Sequence, residues 1–413
     1  MTAIDKSLIF KDTTNPFGGR KVVDVDTHLS EPHDLWTSRA PASLKDRVPQ
    51  VKMIDGMRSW VIDGDVVIGM NASPSSTINK RGEKLLGTDF FGIQIEEVHA
   101  ASWSTKDRVA MMDACGIASQ IVYPNILGFG GQNAAKVDPD LRLACIQIYN
   151  DAMAEMQVDS GERIFPMMLL PWWDTAQSVA EIERCHKMGL RGININSDPH
   201  NHVGLDGEPL PTLGSERWNG MWEACEALDL PVNFHIGASE QVMDWFGDQA
   251  WPDVDRDIAL RIGSTMIFVN NGRVMINLIM SGLLDRYEKL QLVSVESGLG
   301  WIPFTLEALD AQYFEAHPSS RKLRKLPSEY FSSNFLSCFW FERKNLSWTI
   351  KELGVHTVMF ETDFPHPTCL YPDPLGYHLG SLEQLSEEER ALVFGGNAER
   401  LYNLDLSAAP AAS

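Results

Sequence analysis

Residues 22–28 read VVDVDTH, a segment that begins with apolar side chains and ends with polar ones. A buried strand of a parallel sheet has this pattern when its carboxyl end opens into a site. The pattern recurs in residues 119–125 (SQIVYPN), 164–171 (IFPMMLLP), 190–196 (LRGININ), 231–237 (PVNFHIG), 290–298 (LQLVSVESG), 334–341 (NFLSCFWF) and 357–365 (TVMFETDFP). The sequence therefore predicts eight buried strands.

Segments with helical spacing of apolar residues separate these strands. They are residues 106–115, 140–160, 176–187, 217–228, 254–284, 303–316 and 343–353, of which 254–284 is expected to form a pair of helices. Alternating strands and helices favour a parallel sheet, and eight such units close into a TIM-type (β/α)8 barrel. An open doubly wound sheet is the alternative, but we would then expect a glycine-rich phosphate loop after the first strand. The segment DTHLSEP is not such a loop.

One barrel with insertions accounts for residues 1–404 as a single domain, although 413 residues could also form two or three domains. The first insertion spans roughly residues 45–103 and contains RSWVIDGDVVIG, in which Asp63-Gly64 predicts a β-hairpin. We expect this insertion to cap the barrel mouth. A last helix is expected over residues 386–402, because Ser386 and Glu389 have capping-box spacing. Residues 405–413 are expected to be a disordered tail.

The composition excludes several classes of partner. The formal net charge of −21 would repel nucleic acid and anionic membrane surfaces. The sequence has no run of apolar residues long enough to span a membrane, and it begins without the features of a secretory signal. We therefore expect a cytoplasmic protein that acts on a small molecule. The six cysteines are widely spaced and are expected to be buried thiols.

Polar residues at the predicted strand ends indicate a metal site. Enzymes with this fold carry their catalytic groups at the carboxyl ends of the strands. The first strand ends with Asp26 and His28, which are two residues apart and so face the same side. His235 ends the fifth strand and Asp363 the eighth. Two imidazoles and two carboxylates suit Zn²⁺ or a similar divalent ion with one position left open, so we predict these four residues as metal ligands.

Three residues are candidates for catalysis. Asp363 could accept a proton from a water molecule activated by the metal, or handle the proton that replaces CO₂ in a decarboxylation. His366 follows closely and is expected to face the pocket or to orient a ligand. Glu296, at the end of the sixth strand, could act as a base, hold a polar group of the substrate, or bridge to a second metal ion. Its alternative is a buried carboxylate paired to Arg273 or to another group at a strand end.

Four residues just beyond strand ends are candidates for substrate binding: Glu31, Trp36, Trp172 and Trp301. The tryptophans could form an apolar wall for a planar substrate. Core packing is the alternative for each tryptophan, and capping of a loop is the alternative for Glu31.

The sequence resembles the metal-dependent amidohydrolase superfamily, in its amidohydrolase 2 branch. That branch includes aminocarboxymuconate semialdehyde decarboxylase and the resorcylate and carboxyvanillate decarboxylases. The resemblance extends from about residue 21 to 404 and rests on VVDVDTHLSEP, RVAMMDACGIASQIVYPN, NFHIG, LLDRYEKLQLVSVESGLGWIP, FETDFPHP and GGNAERLYNL. It implies the same metal ligands: Asp26, His28, His235 and Asp363. The decarboxylases usually carry histidine at the end of strand six, where this chain has Glu296.

These observations lead to three hypotheses of function. The first is a lyase or hydrolase with one divalent ion, zinc before manganese or iron, that decarboxylates or hydrolyses a small carboxylated substrate. The second is an oxygen-activating iron or manganese oxygenase with a second ion near Glu296. The third is a non-catalytic, metal-binding subunit that assists a homologous chain in a hetero-oligomer. A homodimer is the expected assembly for the first two.

Overall fold

Parallel strands alternate with helices through residues 20–239, 251–378 and 380–407, which a computed structural model describes. All eight predicted strand segments contain strands. The strands are β1 (Val23–His28), β2 (Gln50–Ile54), β3 (Met57–Ile62), β4 (Val66–Gly69), β5 (Ser119–Tyr123), β6 (Ile164–Pro166), β7 (Met168–Leu169), β8 (Ile193–Asn194), β9 (Val232–His235), β10 (Leu292–Val295), β11 (Phe335–Phe339) and β12 (Val358–Phe360).

Two parallel sheets form the barrel wall. One has the order β1-β5-β6, and the other runs from β7 through β8, β9, β10 and β11 to β12. The predicted strand 164–171 is interrupted at Met167, whose amide still donates to the Val122 carbonyl at 2.8 Å. At the other junction Thr27 pairs with Phe364 in parallel, and the His28 amide donates to the Phe364 carbonyl at 2.7 Å. These contacts bring the last strand against the first, as a (β/α)8 barrel requires.

Helices cover the outside of the barrel. They are α1 (Thr105–Cys115), α2 (Pro139–Asp159), α3 (Thr175–Lys187), α4 (Asn219–Ala227), α5 (Arg256–Met280), α6 (Leu283–Arg286), α7 (Ile302–Glu315), α8 (Pro327–Asn334), α9 (Leu346–Leu353), α10 (Glu387–Ala391) and α11 (Asn397–Leu401). The prediction of a helix pair over 254–284 needs correction, because α5 runs unbroken for 25 residues and α6 is one short turn. The predicted last helix begins after Ser386 with its capping box, but a π-helical turn over 392–396 divides it.

The barrel interior is filled by apolar side chains and closed by the end of the chain. Its cluster consists of Val23, Val25, Ala118, Ile121, Tyr123, Phe165, Met167, Val293, Val295, Leu336, Cys338, Met359, Ala398, Tyr402, Leu404 and Leu406. The hydroxyl groups of Tyr123 and Tyr402 both donate to Asn233 Oδ1, at 3.1 and 2.7 Å. Lys21, just before β1, donates to the Leu406 carbonyl, which places the C-terminal segment at the amino ends of the strands. The opposite, carboxyl ends are thus left open.

A β-bulge in β1 turns an acidic side chain toward this interior. Asp24 pairs with Gln120 and Thr27 with Val122, so two residues of β1 stand opposite Ile121 alone. Strict alternation would place Val25 inside the barrel and Asp26 outside. The extra residue of the bulge lets both face inward. One short strand therefore contributes both to the core and to the polar site at its end.

The insertion after β1 forms the antiparallel sheet β2-β3-β4 and caps the barrel mouth, as predicted. The hairpin at Asp63-Gly64 joins β3 to β4, and its φ angles of 50° and 90° are those of a tight hairpin turn. A similar turn at Asp55-Gly56 joins β2 to β3, although β2 was not predicted. The insertion continues to Phe90 and Phe91, whose rings line the cavity above the barrel.

Two predictions made from composition can be compared with the structure. All six cysteines are buried and free in the described part of the chain, which confirms that they are buried thiols. No described helix combines the length and hydrophobicity that crossing a membrane would require. The predicted disordered tail needs correction at its start, because Leu406 is buried in the barrel interior, and residues 408–413 lie outside the described residues.

Candidate metal centre

Four side chains from three strand ends meet at the barrel mouth. Asp26 and His28 belong to β1, His235 ends β9, and Asp363 follows β12. The Nε2 atoms of His28 and His235 are 3.1 Å apart, and Asp26 Oδ1 lies 3.5 and 3.4 Å from them. Asp363 Oδ1 is 3.7 Å from His28 Nε2. The structure thus brings the four predicted ligands together, while their function as ligands stays a prediction.

The polar atoms of this cluster fit a divalent cation. All four side chains are buried, and within the described residues both Asp26 oxygens and Asp363 Oδ1 lack a hydrogen-bond partner. The Nδ1 atoms of His28 and His235 lie 3.4 and 2.6 Å from backbone carbonyl oxygens, which directs each Nε2 lone pair into the cluster. Buried carboxylates and lone pairs without partners are costly unless a cation binds them. The donors suit zinc, manganese or iron.

Glu296, which follows β10, adds a further carboxylate to the cluster. Its Oε2 lies 3.5 Å from His235 Nε2. Two overlapping sets of donor atoms each lie within 4.8 Å of one another: Asp26, His28, His235 and Glu296, and His28, Glu296, Asp363 and His366. Of the alternative partners, Arg273 is wrong, because its Nη2 donates to Asp198 Oδ2 at 2.7 Å, whereas the strand-end residue His235 does contact Glu296. Glu296 therefore belongs to the metal centre by position.

Two carboxylates of the site stand on strained backbone. Glu296 has φ of +52° and Asp363 has φ of +59°, in the left-handed region that residues with a Cβ rarely occupy. Such a conformation costs about 1–3 kcal/mol and persists only where the surroundings hold it. The Asp363 amide donates to the Asp26 carbonyl at 2.9 Å, and the Glu296 amide donates to Glu361 Oε2 at 3.2 Å. These bonds fix both turns at the site.

His366 lies between the metal centre and the cavity. Its ring stacks on that of His28, with centroids 3.7 Å apart. Its Nδ1 is 3.1 Å from Asp363 Oδ1, and its Nε2 is 2.8 Å from Asn125 Oδ1. Thr368 also donates a hydrogen bond to Asp363. His366 thus lines the cavity and also contacts Asp363, one of the predicted ligands.

Burial and mutual repulsion shift the protonation of the cluster. Burial raises the pKa of Asp26, although His235 opposes the shift. Burial, and then the charges of Asp363 and Asp26, raise the pKa of Glu296 well above its ordinary value. Burial and two neighbouring imidazoles lower the pKa of His28, which favours the neutral ring that metal ligation needs. A bound divalent cation would favour the ionised carboxylates and so oppose the first two shifts.

A cavity of about 700 Å³ opens onto Glu296, Asp363 and His366. Its apolar lining comes from the insertion, the loops after β5 and β9, and α5: Ile68, Phe90, Phe91, Phe129, Ile236, Leu260, Ile267 and Phe268. Lys136 and Arg256 are exposed and also belong to the lining. Pockets of this size and lining hold small ligands whose apolar body is buried and whose orientation a few polar groups fix.

The four predicted substrate-binding residues lie outside the described lining of this cavity. Trp36 is fully buried in the core, where its Nε1 donates to the Cys145 carbonyl at 3.0 Å. Trp172 packs on Trp173, with ring centroids 5.6 Å apart. Trp301 donates from Nε1 to the Ser297 carbonyl at 2.9 Å. The geometry thus matches core or loop packing for these tryptophans.

Glu31 does not line the cavity but supports a loop of the site through hydrogen bonds. Its Oε1 accepts hydrogen bonds from the backbone amides of Asn125 and Ile126, at 2.7 and 3.1 Å. This is the loop-capping alternative, not a contact with the cavity. Because the capped loop carries the side-chain oxygen that contacts His366, Glu31 holds part of the site in place.

Two supporting residues were missed in the sequence. Asn125 ends the second predicted strand, so inspection of every strand end would have found it. Arg108, in α1, is fully buried and donates to the carbonyl oxygens of His28 and Ala101, both at 2.5 Å, while its guanidinium lies 4.6 Å from the Phe364 ring. It therefore joins β1, the insertion and the segment beside Asp363. Its helical position gave no signal of this function.

The sequence is similar to those of known proteins over most of its length. A family model described as amidohydrolase matches residues 23–404. A curated relative is 2-amino-3-carboxymuconate-6-semialdehyde decarboxylase of Dictyostelium discoideum, which is 25% identical over 317 residues. That alignment covers 75% of this chain and 79% of the relative.

Solved structures share the fold. An amidohydrolase from Mycobacterium avium subsp. paratuberculosis K-10 matches with a TM-score of 0.73 and 22% identity, over 94% of this chain and 99% of that one. A mutant 5-carboxyvanillate decarboxylase of Novosphingobium aromaticivorans, with bound manganese and 3-methoxy-4-hydroxy-5-nitrobenzoic acid, matches with a TM-score of 0.64 and 18% identity, over 95% and 99%. The predicted barrel is therefore confirmed. Because the family model spans residues 23–404, the protein belongs to the amidohydrolase family.

Proposed function

We propose that the protein is a carboxy-lyase that depends on a divalent metal ion and removes CO₂ from a small planar carboxylate. The observation that carries the proposal is the position of the donor cluster, which lies at the end of a cavity lined by phenylalanine side chains. A flat apolar body fits the phenylalanine walls, and a carboxylate fits the metal centre. The decarboxylase relatives, one of them solved with manganese and a nitrobenzoic acid, support this assignment.

The metal would be held by Asp26, His28, His235 and Asp363, with Glu296 beside them. Bound there, the ion would supply positive charge to the substrate carboxylate or an adjacent oxygen. The two histidines orient their Nε2 atoms toward it through the carbonyl contacts of Nδ1. One ion of zinc, manganese or iron satisfies this donor set.

Asp363 and His366 are the residues placed to move the proton. When the bond between the ring carbon and the carboxylate breaks, the electron pair stays on that carbon and a proton must replace CO₂. His366 faces the cavity, and its Nδ1 lies 3.1 Å from Asp363 Oδ1. Asn125 fixes the other ring nitrogen at 2.8 Å. The pair can therefore hold a proton beside the substrate carbon, and water in the cavity can reprotonate it after each turnover.

The test begins with elemental analysis of protein purified without added metal. The metal-loaded protein is then incubated with a panel of hydroxybenzoates and unsaturated dicarboxylates, and CO₂ release is measured together with deuterium incorporation from D₂O. His366→Asn should keep the metal and lose turnover, whereas His317→Asn, which changes an exposed histidine, should keep both. Absence of CO₂ from every substrate, or full turnover by His366→Asn, would contradict the proposal.

A second candidate is the oxygenase, which the two overlapping donor sets favour. They share His28 and Glu296, so a second ion beside Glu296 has donors available. Elemental analysis separates the candidates, since about two iron or manganese ions per chain with oxygen uptake would favour the oxygenase. One ion per chain with CO₂ release supports the carboxy-lyase.

We also propose that the protein is cytoplasmic and forms a homodimer, and light scattering of the purified protein can test the dimer. The alternative of a non-catalytic subunit predicts bound metal without turnover until a homologous chain is added. Turnover by the protein alone would refute that alternative.

A further inference from the structure

Phe129, in the loop after β5, contacts the imidazoles of the metal centre. Its ring centroid lies 4.9 Å from that of His28, 4.6 Å from that of His235 and 5.8 Å from that of His366. The same residue lines the cavity. Phe129 therefore lies where the cavity meets the donor cluster.

The loop around Phe129 is closely packed against its surroundings. A Cβ on Gly130 would lie 2.6 Å from the Asn196 backbone, so only glycine fits there. Gly128, on the other side, has φ of +82° and would place a Cβ within 2.4 Å of a neighbouring side chain. A Cβ on Gly237 would lie 3.0 Å from the Phe129 ring itself. The ring thus rests directly on the backbone after β9.

Hydrogen bonds fix the same loop to two barrel strands. The Asn194 side chain, in β8, donates to the Phe129 carbonyl. Gln132 Oε1 accepts from the Gly130 amide, and Gln132 Nε2 donates to the Gly237 carbonyl, both at 2.9 Å. The backbone that carries the ring is consequently held beside the donor cluster before any substrate enters.

We propose that Phe129 is a specificity-determining residue, the wall on which the planar ring of the substrate packs beside the metal. This inference rests on the proposed function and names its substrate class as flat, sp²-hybridised carboxylates. Aromatic rings prefer offset or edge-to-face contacts at centroid distances like those of Phe129 to the imidazoles. Such a contact is worth roughly a two- to tenfold difference in affinity over a saturated ring of the same size.

Binding of two unreactive acids to the metal-loaded protein tests the wall. Benzoate is planar, and cyclohexanecarboxylate has the same carbon skeleton without planarity, so the ratio of their affinities by calorimetry isolates the ring contact. The wild type should favour benzoate, roughly two- to tenfold. Phe129→Leu and Phe129→Ala should bring the ratio close to one, and Phe129→Tyr, which keeps the ring, should restore it.

Phe268→Leu is the matched control. Phe268 lines the same cavity but packs on Trp340 and Phe341, at centroid distances of 5.2 and 5.3 Å. This variant should keep the wild-type ratio. Metal content is measured for every variant. If Phe129→Leu and Phe129→Ala lose metal, the ratio of affinities in Phe129→Tyr is the measurement that tests the inference.

The outcomes distinguish this inference from the proposed reaction. The inference would be overturned if Phe129→Leu with full metal kept the wild-type ratio of affinities, or if Phe129→Tyr lost the preference for benzoate. It would also be overturned if the wild type bound neither acid, or bound both equally. If the protein discriminates between the acids but releases CO₂ from no substrate, the carboxy-lyase is refuted and the assignment of Phe129 as the packing surface is retained.

Discussion

Replacement of Arg108 by methionine is expected to weaken both the fold and the metal centre. The guanidinium is fully buried and donates to the carbonyl oxygens of Ala101, His28 and Ser102, at 2.5, 2.5 and 3.4 Å. Methionine retains apolar bulk beside the Phe364 ring but donates no hydrogen bond. Three buried carbonyl groups therefore lose their side-chain donor, one of them on a predicted metal ligand.

The size of the effect follows from these contacts. The Ser102 carbonyl keeps the Ser30 amide as a donor at 2.8 Å, so at most two carbonyls are left unsatisfied. At about 1–3 kcal/mol for each unsatisfied buried carbonyl, the cost is about 2–6 kcal/mol. Burial lowers the pKa of Arg108 to about 9, so removal of this desolvated cation offsets part of that loss. We expect a net destabilisation of about 2–4 kcal/mol. Because the His28 carbonyl loses its side-chain donor, the position of this predicted ligand is held less firmly, and metal affinity should fall about tenfold or more.

Urea unfolding and titration with a competing chelator measure the two effects separately. Arg163→Met is the matched control, because Arg163 donates to the Ala118 and Ile117 carbonyls at 2.9 and 3.0 Å, at the amino ends of the strands. The control should lose stability and keep its metal affinity. A variant of Arg108 within about 1 kcal/mol of wild type, or equal loss of metal in both variants, would refute this reasoning.

Removal of the metal by chelation should abolish turnover and lower the melting temperature, and both should return with added metal; an unaffected chelated protein contradicts the site. His28→Ala and Asp363→Asn should each lose metal or turnover, as elemental analysis and CO₂ release would show, and full activity in either refutes the assignment. Burial raises the pKa of Glu31 from 4.5 to about 7. The folded protein then holds a proton that the unfolded chain releases, so its stability falls as pH rises from about 4.5 to 7, by up to about 3 kcal/mol. Urea unfolding at several pH values should show that the free energy of unfolding of Glu31→Gln lacks this fall with pH. An equal fall in Glu31→Gln and in the wild type would contradict the prediction.

The strand order and the position of the metal centre could be predicted because they depend on short, local patterns. VVDVDTH and TVMFETDFP each combine a buried strand with the polar end that the barrel fold places at its mouth. The bulge that turns Asp26 inward could not be predicted, since it depends on pairing with β5. The expected grouping of Asp26 with His28 still holds, because Asp26 Oδ1 lies 3.5 Å from His28 Nε2.

Features that depend on tertiary packing were predicted less well. Trp36 and Trp172 follow strand ends, yet their large rings are buried in the core, and a position after a strand does not fix the direction of a side chain. Residues 254–284 were expected to form a pair of helices, but α5 is continuous for 25 residues. Strand β2 was missed even though Asp55-Gly56 carries the same turn signal as Asp63-Gly64.

The left-handed backbone at Glu296 and Asp363 sets function against thermal robustness. Glycine adopts this conformation without strain, and it would also remove a buried carboxylate at each position. Replacement of either residue by glycine would thus relieve strain in the metal-free protein, at the expense of a donor to the predicted metal. Selection for stability in the absence of metal would drift toward such variants, so engineering of this protein should hold both positions constant and seek its gains elsewhere.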